Sequence, residues 1–281
     1  MTRGAWWVAL GLLVGGVTGL LAFAPATWLA SAVASATSQQ LLLTDARGTV
    51  WRGDAVLVLS GGEGSRAAVA LPGRLSWRMQ WQGSDIELQA QQACCLNDNF
   101  RLRVAPGLGR VTLRLMPVQG AVGQWPVSLL AGLGAPWNTL QLGGVMRLHS
   151  SGAVLDSAQG RLAYSGHAEL RVDGLSSRLS SLPTLGSYTL AVDGQAQAGD
   201  SAALTLTTTR GPLLLSGAGQ GGGGGGVGNA VGAGGAAGHT RLRFRGEARV
   251  APDAPEAVNA LSNLLNVIGR REGALSILSI G

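Results

Sequence analysis

The chain has 281 residues, 46% of them hydrophobic and only 13% charged, with 45 glycines and a formal net charge of +6. It contains no lysine, so all 21 basic side chains are arginines, spread along the chain without a basic block of the kind that reads nucleic acid. Such a composition excludes a disordered polyelectrolyte and a helix-rich fold, and its charge names no partner.

The first element is apolar. Between Arg3 and Asp45 there is no charged side chain, and Gly4 to Ala24 supplies the roughly 20 residues that span a hydrocarbon core of about 30 Å. Two readings of this segment stand open. Ala34-Ser35-Ala36 resembles a signal-peptidase site, whereas the apolar run is longer than a signal h-region of about 7 to 15 residues, which favours a retained anchor. Arg3 favours a cytoplasmic N-terminus with the rest of the chain exported, and Trp6, Trp7 and Trp28 bracket the run as interfacial indoles do. The expected organisation is a stub over residues 1–4, an anchor over 5–24, a juxtamembrane linker over 25–40 and an exported domain over 41–281.

Past the anchor the dominant period is two. Leu75, Trp77, Met79 and Trp81 alternate with Ser76, Arg78 and Gln80, predicting a strand with one apolar face. The same alternation recurs at Ile86 and Leu88, at Phe100, Leu102 and Val104, and at Val111, Leu113 and Leu115. It continues through Leu162 and Tyr164, Tyr188 and Leu190, Leu204 and Leu206, and Leu242 and Phe244. Turn chemistry at Leu71-Pro72-Gly73, Asn97-Asp98-Asn99 and Pro106-Gly107 separates the strands. The fold class is mainly β, an extended antiparallel sheet, sandwich or open barrel. Two segments read as helical: a short one over Val127 to Leu133, and Pro255 to Arg271, where Val258, Leu261, Leu264, Leu265 and Ile268 form one apolar stripe expected to pack on the sheet. All 8 tryptophans precede residue 138, so a boundary between two halves near Pro117 to Pro136 and one continuous sheet are both open. The glycine-rich stretch 216–238 reads as a flexible insertion in a hairpin formed by Leu213 to Leu215 and Arg241 to Arg245.

Candidate chemistry is sparse. Cys94 and Cys95 are adjacent, closer than the usual disulfide window of about 4.4 to 6.8 Å between Cα atoms. A vicinal bridge, a redox pair and two buried thiols are all open. Gly217, Gly219 and Gly222 fit a dinucleotide-loop spacing, but so many glycines produce that match by chance and no helix is expected to follow. His149, His167 and His239 lie far apart without second ligands at metal spacing, and Asp85 and Glu87 fall on a strand's polar face. No catalytic, cofactor or metal site is expected.

Several stretches together resemble the type II secretion system protein N family. They are Gly48-Thr-Val-Trp51-Arg-Gly53, Leu71-Pro-Gly-Arg-Leu-Ser-Trp77, Gly134-Ala-Pro-Trp137-Asn138 through Gly144, and Asn263 through Gly273 followed by Ser276 to Gly281. The resemblance implies a single-pass inner-membrane protein with a cytoplasmic stub and a periplasmic domain, non-enzymatic, working with other secretion subunits. It also implies, by fold-level analogy, an AsmA-like sheet curled into an apolar groove; a phospholipid in that groove is the rival function. Trp51, Trp77 and Trp137 beside Gly, Arg or Pro read as indoles covering sheet edges, with Trp137 and Asn138 as the alternative partner contact.

Overall fold

The computed structural model describes residues 3–158, 161–194, 201–222, 241–254, 257–273 and 275–280. Helix α1 (Arg3–Ala22) is followed at once by a second helix, α2 (Ala26–Ala36). Among the described residues no helix is long and apolar enough to cross a membrane, so the structure leaves the expected anchor over residues 5–24 without confirmation. Met1 and Thr2 lie outside the described residues.

The expected linker over 25–40 is corrected: most of it is α2. Ala26 is buried against Ala55 and Trp77, and Leu29 packs on the same group. The segment is apolar enough to be held by the sheet rather than by the solvent.

The remainder is one antiparallel sheet. Its first half comprises β1 (Leu41–Gly48), β2 (Arg52–Ser60), β3 (Ala68–Ala70), β4 (Leu75–Gln82), β5 (Asp85–Gln91), β6 (Arg101–Gly107), β7 (Arg110–Leu115) and β8 (Gly123–Pro126). A 3-10 turn (Val127–Leu133) and the four-residue α3 (Trp137–Leu140) intervene. Next come two 17-residue strands, β9 (Leu142–Ala158) and β10 (Arg161–Ser177), then β11 (Gly186–Gly194), β12 (Ser201–Arg210), β13 (Leu213–Gly222) and β14 (Arg241–Val250). Helix α4 (Ala257–Ile268) precedes the closing hairpin β15 (Arg270–Glu272) and β16 (Leu275–Ile280).

The sheet is open, and its order follows the chain except that β16 lies between β14 and β15, while β3 and β8 pair with β2 and β9. Strand β7 pairs directly with β9, so no boundary divides the sheet near Pro117 to Pro136.

Two-residue alternation puts one face of the sheet in register across many strands. Leu148, Leu170, Leu190, Leu206, Gly217, Gly246 and Leu278 form one continuous cross-strand row. Helices cover that face at its two ends. At the first end α2 packs over Ala55, Trp77, Leu43 and Met79. At the other, Leu261, Leu264 and Leu265 of α4 are buried among Leu185, Leu213 and Ala248. Of the predicted stripe, Leu261, Leu264 and Leu265 are buried and Ile268 partly so, whereas Val258 at the start of the helix is exposed. Mid-sheet residues such as Val104, Leu113 and Leu155 are half-buried and belong to neither cluster.

The glycine-rich hairpin is found, with one correction. Strand β13 continues through Ser216–Gly222, paired with β14 along its whole length, where an insertion was expected from Ser216. The physical reason is Phe244, whose ring occupies the space that side chains at 217 and 219 would need. A Cβ added at Gly219 would lie 2.9 Å from Phe244 Cδ2, and one added at Gly217 would strike the ring at Cζ. The rest of the stretch, 223–238, lies outside the described residues, as does His239.

Candidate partner-binding surface

The tryptophans that sequence treats alike separate into different environments. Trp77 is 5% exposed, and its Nε1 donates to the Val50 carbonyl at 3.0 Å. It is a core residue, and Gly53 opposite it has no room for a side chain, since an added Cβ would lie 2.7 Å from the indole. Trp51 is half-buried in the β1–β2 turn, with Nε1 donating to the Leu21 carbonyl of α1 at 2.7 Å. Its ring lies 6.2 Å from that of Trp81, tilted by 42°. Trp81 is 58% exposed, more than either, yet the alternation assigns it to the covered face. The alternation does not mark it as a surface residue because it sits at the end of β4, outside the cluster under α2; the following Gly83-Ser84 turn is the signal that could have found it.

Trp137 and Asn138 stand apart from that group. The cis Ala135-Pro136 bond opens α3, and the Asn138 and Leu140 amides donate to the Gly134 and Pro136 carbonyls at 3.0 and 3.1 Å. Beneath them Leu140 is buried in the α4 core, and its carbonyl accepts from Ser177 Oγ at 2.6 Å. The base of α3 is therefore fixed, while Trp137 stays 38% exposed and Asn138 exposed beside it. A part-exposed indole with an adjacent amide on a fixed backbone turn is the kind of residue pair that anchors interfaces, where tryptophan is enriched.

Cys94 and Cys95 are joined by a disulfide with Cα atoms 3.7 Å apart. Of the three open readings, the vicinal bridge is the one the structure holds. Cys94 is exposed and its Sγ lies 3.2 Å from the Pro72 carbonyl; bonded to Cys95, it has no proton to donate there. The Cys95 carbonyl accepts from the Gln124 amide at 2.7 Å, tying this turn to β8.

Electrostatics on the polar face are those of ion pairs, some across strands and some between residues two apart on one strand. Arg110 chelates Asp156 and holds its carboxyl below the ordinary carboxylate range. Arg74, then Arg47, do the same for Asp45, and Arg171 for Glu169. Burial pushes the Tyr188 phenol up, and its hydroxyl donates to the Leu213 carbonyl at 2.9 Å. The expectation that Glu87 is a solvated surface carboxylate is corrected. It is 7% exposed, covered by Gln89, whose Nε2 donates to it at 3.0 Å, and by Arg103 at 3.6 Å. His167 Nδ1 lies 2.6 Å from an Asp193 carboxylate oxygen, a pair that sequence spacing does not foreshadow. Among the described residues there is no group of three or more His, Cys, Asp or Glu side chains able to hold a metal.

These features define a protein built on a single long antiparallel sheet, with a helix packed on it towards each end of the strand order and the exposed Trp137 beside the α4 core. Residues 39–277 match the family model described as type II secretion system (T2SS), protein N, and the chain belongs to that family. No curated protein matches the chain, and no solved structure does.

Proposed function

We propose that this chain is a non-enzymatic, inner-membrane component of the type II secretion apparatus, with a cytoplasmic N-terminus and a periplasmic sheet that docks other secretion subunits. The family match over residues 39–277 carries the secretion reading. The anchor is supported by α1 itself, where Leu10, Leu12, Leu13, Leu20 and Leu21 are all more than half exposed, a cost in water and a gain in lipid. Retention rather than cleavage is supported by α2. Cutting after Ala36 would remove Ala26 and Leu29 from the cluster around Trp77.

The docking element favoured here is Trp137 with Asn138 on its fixed base. Pulldown of the full-length protein from membranes, paired with lipid extraction and mass spectrometry, tests the reading. Secretion subunits are expected with the native protein and are expected to be depleted by Trp137→Ala. The second reading, a lipid-handling protein, is favoured by the half-buried apolar residues at mid-sheet. Stoichiometric phospholipid without secretion subunits would establish it and overturn the first. A periplasm-dependent reporter fused after Gly281 is expected to be active, and an inactive fusion would sink the topology.

A further inference from the structure

The last strands carry a basic shelf that neither the core nor the Trp137 surface uses. Alternation along β14 puts Phe244 on the apolar face and Arg243 and Arg245 on the other. Register then sets Arg243 opposite Gln220, and Arg245 between the small residues Ala218 and Ser279. Arg270 of the edge strand β15 sits opposite Ile277 at the same margin. Together they line an open depression of about 670 Å³. Ala218 and Ser279 form its floor beside Arg245, with Gln220 and Ile277 on the same lining.

These cations lack counterions. Among the described residues no carboxylate comes within 4.0 Å of Arg243, Arg245 or Arg270, whereas Arg74, Arg110, Arg147 and Arg171 each hold one. The acidic groups facing the shelf are Glu272 on its lining and Glu247 two residues along β14. Three guanidiniums on an open floor, two of them about 7 Å apart along one strand, suit a ligand with repeated carboxylates, because each planar fork takes one in bidentate fashion.

The position of the shelf favours a protein ligand over the headgroups of the bilayer. The strand order runs ten steps from β2, whose turn with β1 meets the end of α1, to β14, so the shelf lies at the opposite end of the sheet order from that join. This step rests on the reading of α1 as the anchor. We infer that the shelf formed by Arg243, Arg245 and Arg270 is a docking site for an acidic, extended segment of a partner protein, read through its carboxylates.

The test uses the full-length protein in detergent micelles and a fluorescein-labelled peptide of alternating threonine and glutamate, followed by anisotropy. The peptide is expected to bind, its glutamine counterpart not to bind, and raised salt to weaken the complex. The combined R243Q, R245Q and R270Q variant is expected to lose at least tenfold in affinity, and Glu272→Gln to gain a few-fold. All four positions are lining residues of an open surface, and an unchanged far-UV spectrum and melting curve would show that the variants fold. Binding that ignores the arginine substitutions, or no binding at all, overturns the site. Stronger binding to phosphatidylglycerol vesicles, or to inorganic phosphate in competition, overturns the acidic-peptide assignment. Peptide binding that survives while the pulldown yields no secretion subunits would leave the shelf standing and remove only the secretion role.

Discussion

Trp77→Ala is the substitution on which the description of the first core turns. The indole is 5% exposed and lies among Ala26, Ala55 and Gly53, small residues that cannot expand into the space it would vacate. Truncations of buried aromatic residues cost about 3 to 5 kcal/mol, and the upper half of that range applies where the surroundings cannot collapse. The loss includes the Nε1 hydrogen bond to Val50, which leaves that carbonyl unpaired. With a urea m-value of about 3 kcal/mol/M for a chain of this size, a loss of about 4 kcal/mol moves the midpoint down by about 1.3 M. Far-UV circular dichroism of the full-length protein in detergent across a urea series measures it. Trp77→Phe should fall between, since it keeps a ring and loses the donor. Trp137→Ala, at a position 38% exposed, should cost under about 1 kcal/mol. A loss below 1 kcal/mol for Trp77→Ala, or equal losses at the two positions, would refute the division of these tryptophans into core and surface.

Gly217→Ala should destabilise by about 1 to 3 kcal/mol, because the new Cβ meets the Phe244 ring; the paired Phe244→Ala change should relieve part of that loss in a double-mutant cycle of melting curves. Ser276→Ala should cost about 1 kcal/mol by denaturant midpoint, since the serine is fully buried and its Oγ donates to the Leu265 carbonyl at 2.7 Å. The Asp156 carboxyl is lowered by Arg110, so its folded-state pKa lies below the unfolded one. Its stabilising contribution is present above the unfolded value of about 3.9 and is lost as pH falls through the folded value. Asp156→Asn should therefore flatten the decline in melting temperature on acidification, and an unchanged slope would show that the pair contributes nothing.

How much of this was legible depended on whether the cause was local. Alternation from Leu75 to Trp81 located β4, and the stripe from Val258 to Ile268 located α4, because burial on one face leaves a period in the sequence itself. Helix α2 left no such trace. Its eleven residues, Ala26–Ala36, are uncharged and mostly small, and read as a linker with a candidate cleavage site; Trp77 and Ala55 beneath make them a packed helix. The glycines of β13 misled for a related reason. Low complexity normally means no side chain to pack, whereas here the packing is supplied by Phe244 from the neighbouring strand. Glu87 and Trp81 depart from the alternation in opposite directions, one covered by Gln89 and, from the neighbouring strand, Arg103, the other uncovered at a strand end.

The join between α1 and the sheet fastens the two together at several points. A linker over 25–40 would let the sheet swing freely, but the Val50 amide donates to the Ala24 carbonyl at 2.9 Å, Trp51 Nε1 to the Leu21 carbonyl at 2.7 Å, and Pro25 bridges to Thr49. With α1 as the anchor, the first hairpin is fastened to the helix end within about one turn, and the sheet's orientation to the membrane is set by these contacts. Trp51→Phe removes one donor while keeping the ring against Trp81. It should cost about 1 kcal/mol locally, raising amide hydrogen exchange about fivefold over Thr49 to Arg52 while leaving the exchange of β9 and β10 unchanged. Exchange in the turn that does not respond to the substitution would mean that the indole is not a fastener and that the join rests on the Val50 amide and the Pro25–Thr49 bridge.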